Sequence, residues 1–239
     1  MLSKKIRKQI LYGKLNELLK PKGYKLIDTG LDPRYILKLE HKIEFIFFNF
    51  KDAGSVSASE LLVSINEVES IILEIELPNF DLTSYKGGKK YFFSTIKDIV
   101  FNNEFDKKFY LKAPETEVEM EAMATWLVNY LQTRGFAFAE HYSYLPNILA
   151  KMDALLDEGR FWNGILAGTV DNAFRGLIIS KLCNDSNLEG KIKLCDKKLK
   201  ARESLSIWLP YYEKLKDRLK SIEPKYDAST GRVFEFDKI

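Results

Sequence analysis

Residues 35–50 read Tyr-Ile-Leu-Lys-Leu-Glu-His-Lys-Ile-Glu-Phe-Ile-Phe-Phe-Asn-Phe. Tyr35, Leu37 and Leu39 share one face of an extended segment. Glu40-His41-Lys42 then forms a turn. In the segment 43–50, Ile43, Phe45 and Phe47 alternate with Glu44, Ile46 and Phe48, so both faces are largely apolar. That pattern predicts a central strand covered on both sides. Two strands joined by so short a turn pair antiparallel.

Upstream, Tyr24–Ile27 is rich in the residues that favour strands, and Leu31-Asp32-Pro33 reads as a turn. Before it, Ile6, Ile10, Leu11, Leu15, Leu18 and Leu19 recur at helical spacing and predict a helix over 3–20. Pro21-Lys22-Gly23 stops it. Downstream, Asp52-Ala53-Gly54-Ser55 is a turn, and 61–65 and 71–77 read as strands. In the second of these Leu73, Ile75 and Leu77 alternate with Glu74 and Glu76. A loop is expected between Pro78-Asn79 and Lys86-Gly87-Gly88, then a strand over 91–95, while 96–112 has no clear period.

The composition changes at Ala113-Pro114. Thr116 and Glu119 have capping-box spacing, which predicts a helix from there to about Arg134, stopped by Gly135. Further helices are expected at about 142–157, 161–182, 187–202 and 204–222, the last with a possible restart at Pro210. Arg232–Asp237 reads as a late edge strand. Strands first and helices after predict an α+β fold: an N-terminal helix with a mainly antiparallel sheet, then a C-terminal helical bundle. The expected parts are 1–112, 113–224 and a tail, 225–239.

The chain has 239 residues, 46% of them hydrophobic and 30% charged, enough to bury a substantial core. Cys183 and Cys195 make no disulfide framework and read as small core residues. With His41 and His141 as the histidines, a structural zinc site would need every Cys and His in the chain, so neither metal nor cofactor is expected. Polar residues interrupt each apolar run of the basic N-terminus, and nothing approaches the length of a membrane span. The expected location is a reducing cytoplasm, without membrane association.

Net charge is +3, unevenly spread: the first 25 residues hold eight basic residues against Glu17. Lys4, Lys5, Arg7 and Lys8 fall in the first turns of a helix, where the dipole disfavours them. They are candidate partner-binding residues. Arg160 and Trp162 are a second candidate pair, as interface anchors. Asp28 or Asp32 with Glu40 and Lys42 echoes the Asp…Glu-x-Lys arrangement of metal-dependent nucleases, in which two carboxylates hold magnesium and the lysine helps activate water. Glu67, Glu69, Glu74 and Glu76 could pair as acid and base, or form a solvated strand face. Lys86-Gly87-Gly88-Lys89-Lys90 lacks phosphate-loop spacing and reads as a hairpin loop. His141 is expected at a helix boundary. Gly164 and Gly168 would let another helix approach closely, and Asp171 and Arg175 can pair within one helix. The Lys-rich helix 187–202 reads mainly as a solvated face.

The stretch Leu15-Asn16-Glu17-Leu18-Leu19-Lys20-Pro21-Lys22-Gly23-Tyr24-Lys25 passes from a helix through a Gly-aromatic step into strands. With the apolar strand that follows and the helices after Pro114, it resembles bacterial domains of unknown function that open with a helix, enter an antiparallel sheet and close with helices. Some of these are suspected immunity or accessory proteins of toxin systems. The resemblance covers residues 5–110 in outline and assigns no functional residue. The leading expectation is a non-enzymatic protein-binding or immunity-like protein with a protein partner. The alternatives are a divergent metal-dependent hydrolase or nuclease using Asp28, Asp32, Glu40 and Lys42, and a nucleic-acid-binding protein using the basic helices.

Overall fold

The computed structural model of the chain describes residues 2–28, 33–78, 94–110 and 114–235. The fold is α+β, with an N-terminal helix, an antiparallel sheet and then helices. By its internal contacts the chain divides into two compact units. One comprises Met1–Val63 and Lys97–Glu140, the other Ser64–Ile96 and His141–Ile239. The sequence predicted parts that follow one another along the chain; these units interleave.

In the first unit, helix α1 spans Lys4–Leu19. The Ser3 side chain caps it by accepting from the Ile6 N–H. Gly23, at φ +89°, turns the chain out of it, a conformation that costs glycine little. Leu11, Leu15 and Leu19 are buried as their spacing predicts, joined by Arg7 and Tyr12. Strands β1 (Lys25–Ile27), β2 (Arg34–Lys38), β3 (Lys42–Phe50) and β4 (Val56–Ala58) lie side by side in that order. All three pairings are antiparallel, with Ile36 opposite Phe45 and Phe48 opposite Ala58. Strand β5 (Leu62–Ile65) also pairs with β3. The expected central strand is therefore β3, and seven of its nine residues are buried. The Tyr12 ring of α1 lies edge-on to Tyr35, Phe48 and Phe50, at centroid distances of 5.9–6.2 Å.

Helix α3 (Ile99–Phe105) occupies part of the stretch in which no period was readable. Helix α4 (Glu117–Tyr130) opens with the expected capping box. Gly135 does not stop it. The path continues through a wide turn, Leu131–Gly135, into α5 (Phe136–His141). Helix α4 packs against α1.

In the second unit, α2 (Asn66–Ile75) replaces the strand expected over 71–77. Val68, Ile71, Ile72 and Ile75 are buried on one helical face, and Glu76 ends the helix at φ +59°. Helix α6 (Leu145–Asp157) starts with Pro146 in its first turn. The helix expected over 161–182 is shorter. A single 3-10 turn, Trp162–Gly164, and an isolated bridge between Ile96 and Leu166 precede α7 (Asp171–Leu182). Helix α8 (Leu188–Lys200) matches its expectation, and the last helix does restart at Pro210: a 3-10 turn, Glu203–Trp208, leads into α9 (Leu209–Lys220).

Residues 232–235 form no strand. Phe234 is buried instead, with its ring 5.3 Å from that of His141 and 6.0 Å from that of Tyr142. The rest of that segment, the 86–90 loop, most of 91–95 and the boundary at 112–113 lie outside the described residues. Among the described residues, no helix is long and apolar enough to cross a membrane.

Candidate functional site

The nuclease-like residues do not gather. Asp28, just after β1, accepts hydrogen bonds from Lys8 Nζ at 2.5 Å and Tyr12 OH at 3.2 Å. Lys42 is buried at the start of β3, where it pairs with Glu44 at 2.9 Å and Glu140 at 3.0 Å. Tyr24 donates to the other oxygen of Glu44. Glu40 is exposed in the turn before β3, and Asp32 lies outside the described residues. Asp28 and Lys42 are thus engaged with other groups, while Glu40 lies in its exposed turn. Among the described residues, no three His, Cys, Asp or Glu side chains cluster as metal ligands.

The partner-binding candidates separate into structural and surface groups. Arg7 is 1% exposed, and its guanidinium donates to the carbonyls of Lys51, Gly54 and Ser55 at 2.9–3.2 Å. It ties the β3–β4 turn to α1 and is unavailable to a partner. Its place one turn ahead of Leu11 and Leu15 was the signal in the sequence. Trp162 is fully buried, with its ring stacked on Phe161 at 4.6 Å, so it is core rather than an interface anchor. Arg160 is exposed and pairs with Glu158 at 3.0 Å. Lys4 reaches Asp52 at 3.9 Å across solvent, a contact worth little.

Lys5 and Lys8 line a groove of about 470 Å³ between α1 and the end of β1. Helical spacing carries Lys5, Gln9, Gly13 and Asn16 along one side of α1. Leu26 and Asp28 form the opposite wall. Tyr35 donates to Asn16 Oδ1 at 2.9 Å, which fixes that amide in the groove. Burial, then the neighbouring Asp28 charge, pushes the Tyr12 hydroxyl well above its ordinary range, so it remains a donor. The groove is thus rich in donors, with two cations and one acid. A Cβ at Gly13 would meet nothing within 4 Å. Gly13→Ala should therefore stabilise the protein by about 0.5–1 kcal/mol through helix propensity alone, read as a raised urea midpoint.

The first unit also holds a buried acidic cluster that the sequence did not reveal. Asp98 is 1% exposed. It accepts from Tyr130 OH at 3.0 Å, from Arg134 at 2.6 and 2.9 Å, and from the Val100 N–H at the start of α3. Glu60 is buried too, and accepts from the Asn102 side-chain amide at 3.3 Å. Burial raises its carboxyl, outweighing the hydrogen bonds that lower it. A carboxyl raised in the folded state contributes stability at low pH that is lost as pH rises through its folded value. Glu60→Gln should therefore raise the Tm at neutral pH, with a smaller gain in acid; an equal gain at both would remove charge burial as the cause.

In the second unit the four glutamates of the expected acid–base face lie on or just after α2, and each meets a different cation. Glu67 takes Lys225 and the Tyr226 hydroxyl, Glu69 takes Arg175, Glu74 takes Arg218 and Glu76 takes Lys214. The Asp171–Arg175 pair forms as predicted. Lys191 is not on a solvated face. It is buried between Asp153 at 2.5 Å and Asp185 at 2.6 Å. His141, at the end of α5 as expected, lies 2.7 Å from the Arg232 carbonyl through Nε2. Both cysteines are fully buried, and burial pushes each thiol up to about 12. No family model, curated protein or solved structure matches the chain.

Proposed function

We propose that the chain is a non-enzymatic binding protein and that the basic face of α1, at its groove against β1, docks an acidic protein partner. The observation that carries this reading is the donor-rich groove lined by Lys5, Lys8, Gln9 and Asn16, within a segment of 25 residues that holds eight basic side chains against one acid. Complementary charge of this kind steers encounter and sets orientation. Asp28 on the opposite wall holds the Lys8 ammonium at 2.5 Å, so the groove has one net positive charge rather than the run of cations that a phosphate backbone needs, which favours a protein over a nucleic acid. An immunity-like protein facing an acidic toxin is one member of this class.

The test is capture of partners from the native cells by the tagged full chain, at low and high salt, with Lys5→Glu and Gly13→Trp as variants. Both positions are exposed, so neither variant should lower the Tm. The expected result is one stoichiometric acidic protein, released by salt and lost with either variant. Capture that survives both variants, or that disappears on nuclease treatment, would sink the proposal.

A further inference from the structure

The second unit has a separate pocket of about 310 Å³, between the N-terminal turn of α7, the C-terminal turn of α8 and the 3-10 turn that follows. Its floor is mainly apolar, formed by the buried Ala173, Cys195 and Leu199, beside the buried Asn172 amide, which donates to the Gly168 carbonyl at 3.2 Å. Its rim carries two exposed cations, Lys198 and Arg202, and no Asp or Glu lines it. The Lys198 ammonium sits 4.1 Å from the centroid of the Phe161 ring, which forms one wall and holds the charge at the mouth. The nearby acid on α8, Asp196, is turned to Lys200 and Lys216. Among the described residues, neither Lys198 nor Arg202 has an ion-pair partner. The Cys195 thiol in the floor stays protonated, its pKa pushed up to about 12 by burial, so no thiolate competes for the cations.

We infer that this pocket binds a small organic carboxylate, with its charged head between Lys198 and Arg202 and its apolar body on the Ala173–Leu199 floor beside Phe161. An inorganic anion would leave the floor uncovered, and a neutral apolar molecule would leave both cations unanswered. The volume is at the lower end of ligand pockets, which suits a single ring or a short branched chain. Arginine adds a planar, two-pronged donor that matches a carboxylate.

The probe is 3-phenylpropionate, titrated into the isotope-labelled full chain and followed by amide resonances. Its neutral amide, 3-phenylpropanamide, is the control for charge, and acetate is the control for the apolar body. The acid should bind saturably, with shifts confined to 161–173 and 195–205. The amide should bind at least about tenfold more weakly, the ratio expected for loss of one charge-assisted contact, and acetate at least about tenfold more weakly because it leaves the apolar floor uncovered. Lys198→Gln with Arg202→Gln should weaken the acid by about tenfold or more and leave the amide unchanged. Ala201→Trp, at an exposed lining position, should block both. Wild-type Tm values will show that the variants fold. Equal binding of acid and amide, shifts scattered over the chain, or no saturation at millimolar acid would overturn the assignment.

Discussion

Arg175→Met is expected to destabilise the protein by about 3–5 kcal/mol, the range found when one partner of a buried ion pair is removed. Arg175 is 2% exposed and Glu69 is 1% exposed. The guanidinium grips the carboxylate at two points, Nε to Oε1 at 2.7 Å and Nη2 to Oε2 at 2.9 Å. Its remaining nitrogen donates to the Ala167 carbonyl and to Asp171. Thr95 donates to Glu69 Oε1 at 2.7 Å and itself accepts from the Ile65 N–H. Methionine fills comparable space but leaves a buried carboxylate with the Thr95 hydroxyl as its remaining described donor. Adding Glu69→Leu removes that stranded charge, so the double variant should be more stable than Arg175→Met alone. The measurement is urea unfolding of both single variants and the double variant. A cost for Arg175→Met under about 1 kcal/mol, the level of a surface pair, would show that the site is wetter than its burial implies.

The same pair explains which parts of the fold could be read from the sequence. Helix α1 was legible because Leu11, Leu15 and Leu19 satisfy the helical period alone. Strand β3 was legible because Ile43–Phe50 is a short run rich in isoleucine and phenylalanine between two turns, too short for a buried helix. The capping box at Thr116 is equally local. Helix α2 satisfied two periods. Leu73, Ile75 and Leu77 alternate as a strand, while Val68, Ile71, Ile72 and Ile75 also recur as a helix. A tie of this kind is broken by tertiary contact. One such contact joins Glu69 to Arg175, 106 residues later, and no local window can contain it. The tail was misread for the same reason: Phe234 is placed by His141 and Tyr142, not by a neighbouring strand.

The candidate site was legible in part. Excess charge marked α1, and Lys5 and Lys8 do line its groove. What the sequence could not separate was a lysine or arginine that faces solvent from one that is buried. Arg7 gave a clue by falling on the apolar stripe. Lys191 gave the same clue, one turn ahead of Cys195 and two ahead of Leu199, and six residues after Asp185. Lys42 has one acid, Glu44, two residues on in its own strand, but the other, Glu140, comes from a distant element. Trp162 is the converse. An aromatic beside an exposed arginine looked like an interface anchor, but the ring is consumed by the core of its own unit.

That ring sets the second large effect, Gly176→Ala. In the interior of a helix this exchange ordinarily stabilises by up to about 1 kcal/mol. At Gly176 the new Cβ would lie 2.3 Å from Trp162 Cε3, 2.5 Å from Cζ3 and 3.1 Å from the Met152 methyl. Trp162 is fully buried and stacked on Phe161, so its ring has little room to retreat. Overpacking of this kind costs about 1–3 kcal/mol or more, enough to reverse the propensity gain. Gly176→Ala should therefore lower stability where Gly13→Ala raises it, the same chemistry with opposite sign on two helices. Of the two glycines marked in the sequence for close approach, Gly164 does lie against a helix, since a Cβ there would meet the Leu155 side chain of α6 at 3.0 Å, whereas Gly168 is a turn residue at φ +92°. If the tryptophan ring is the obstacle, Gly176→Ala should cost less in a Trp162→Phe background, since the smaller ring frees the space that the methyl needs. An unchanged cost would move the obstacle elsewhere around α7, to the Met152 methyl first.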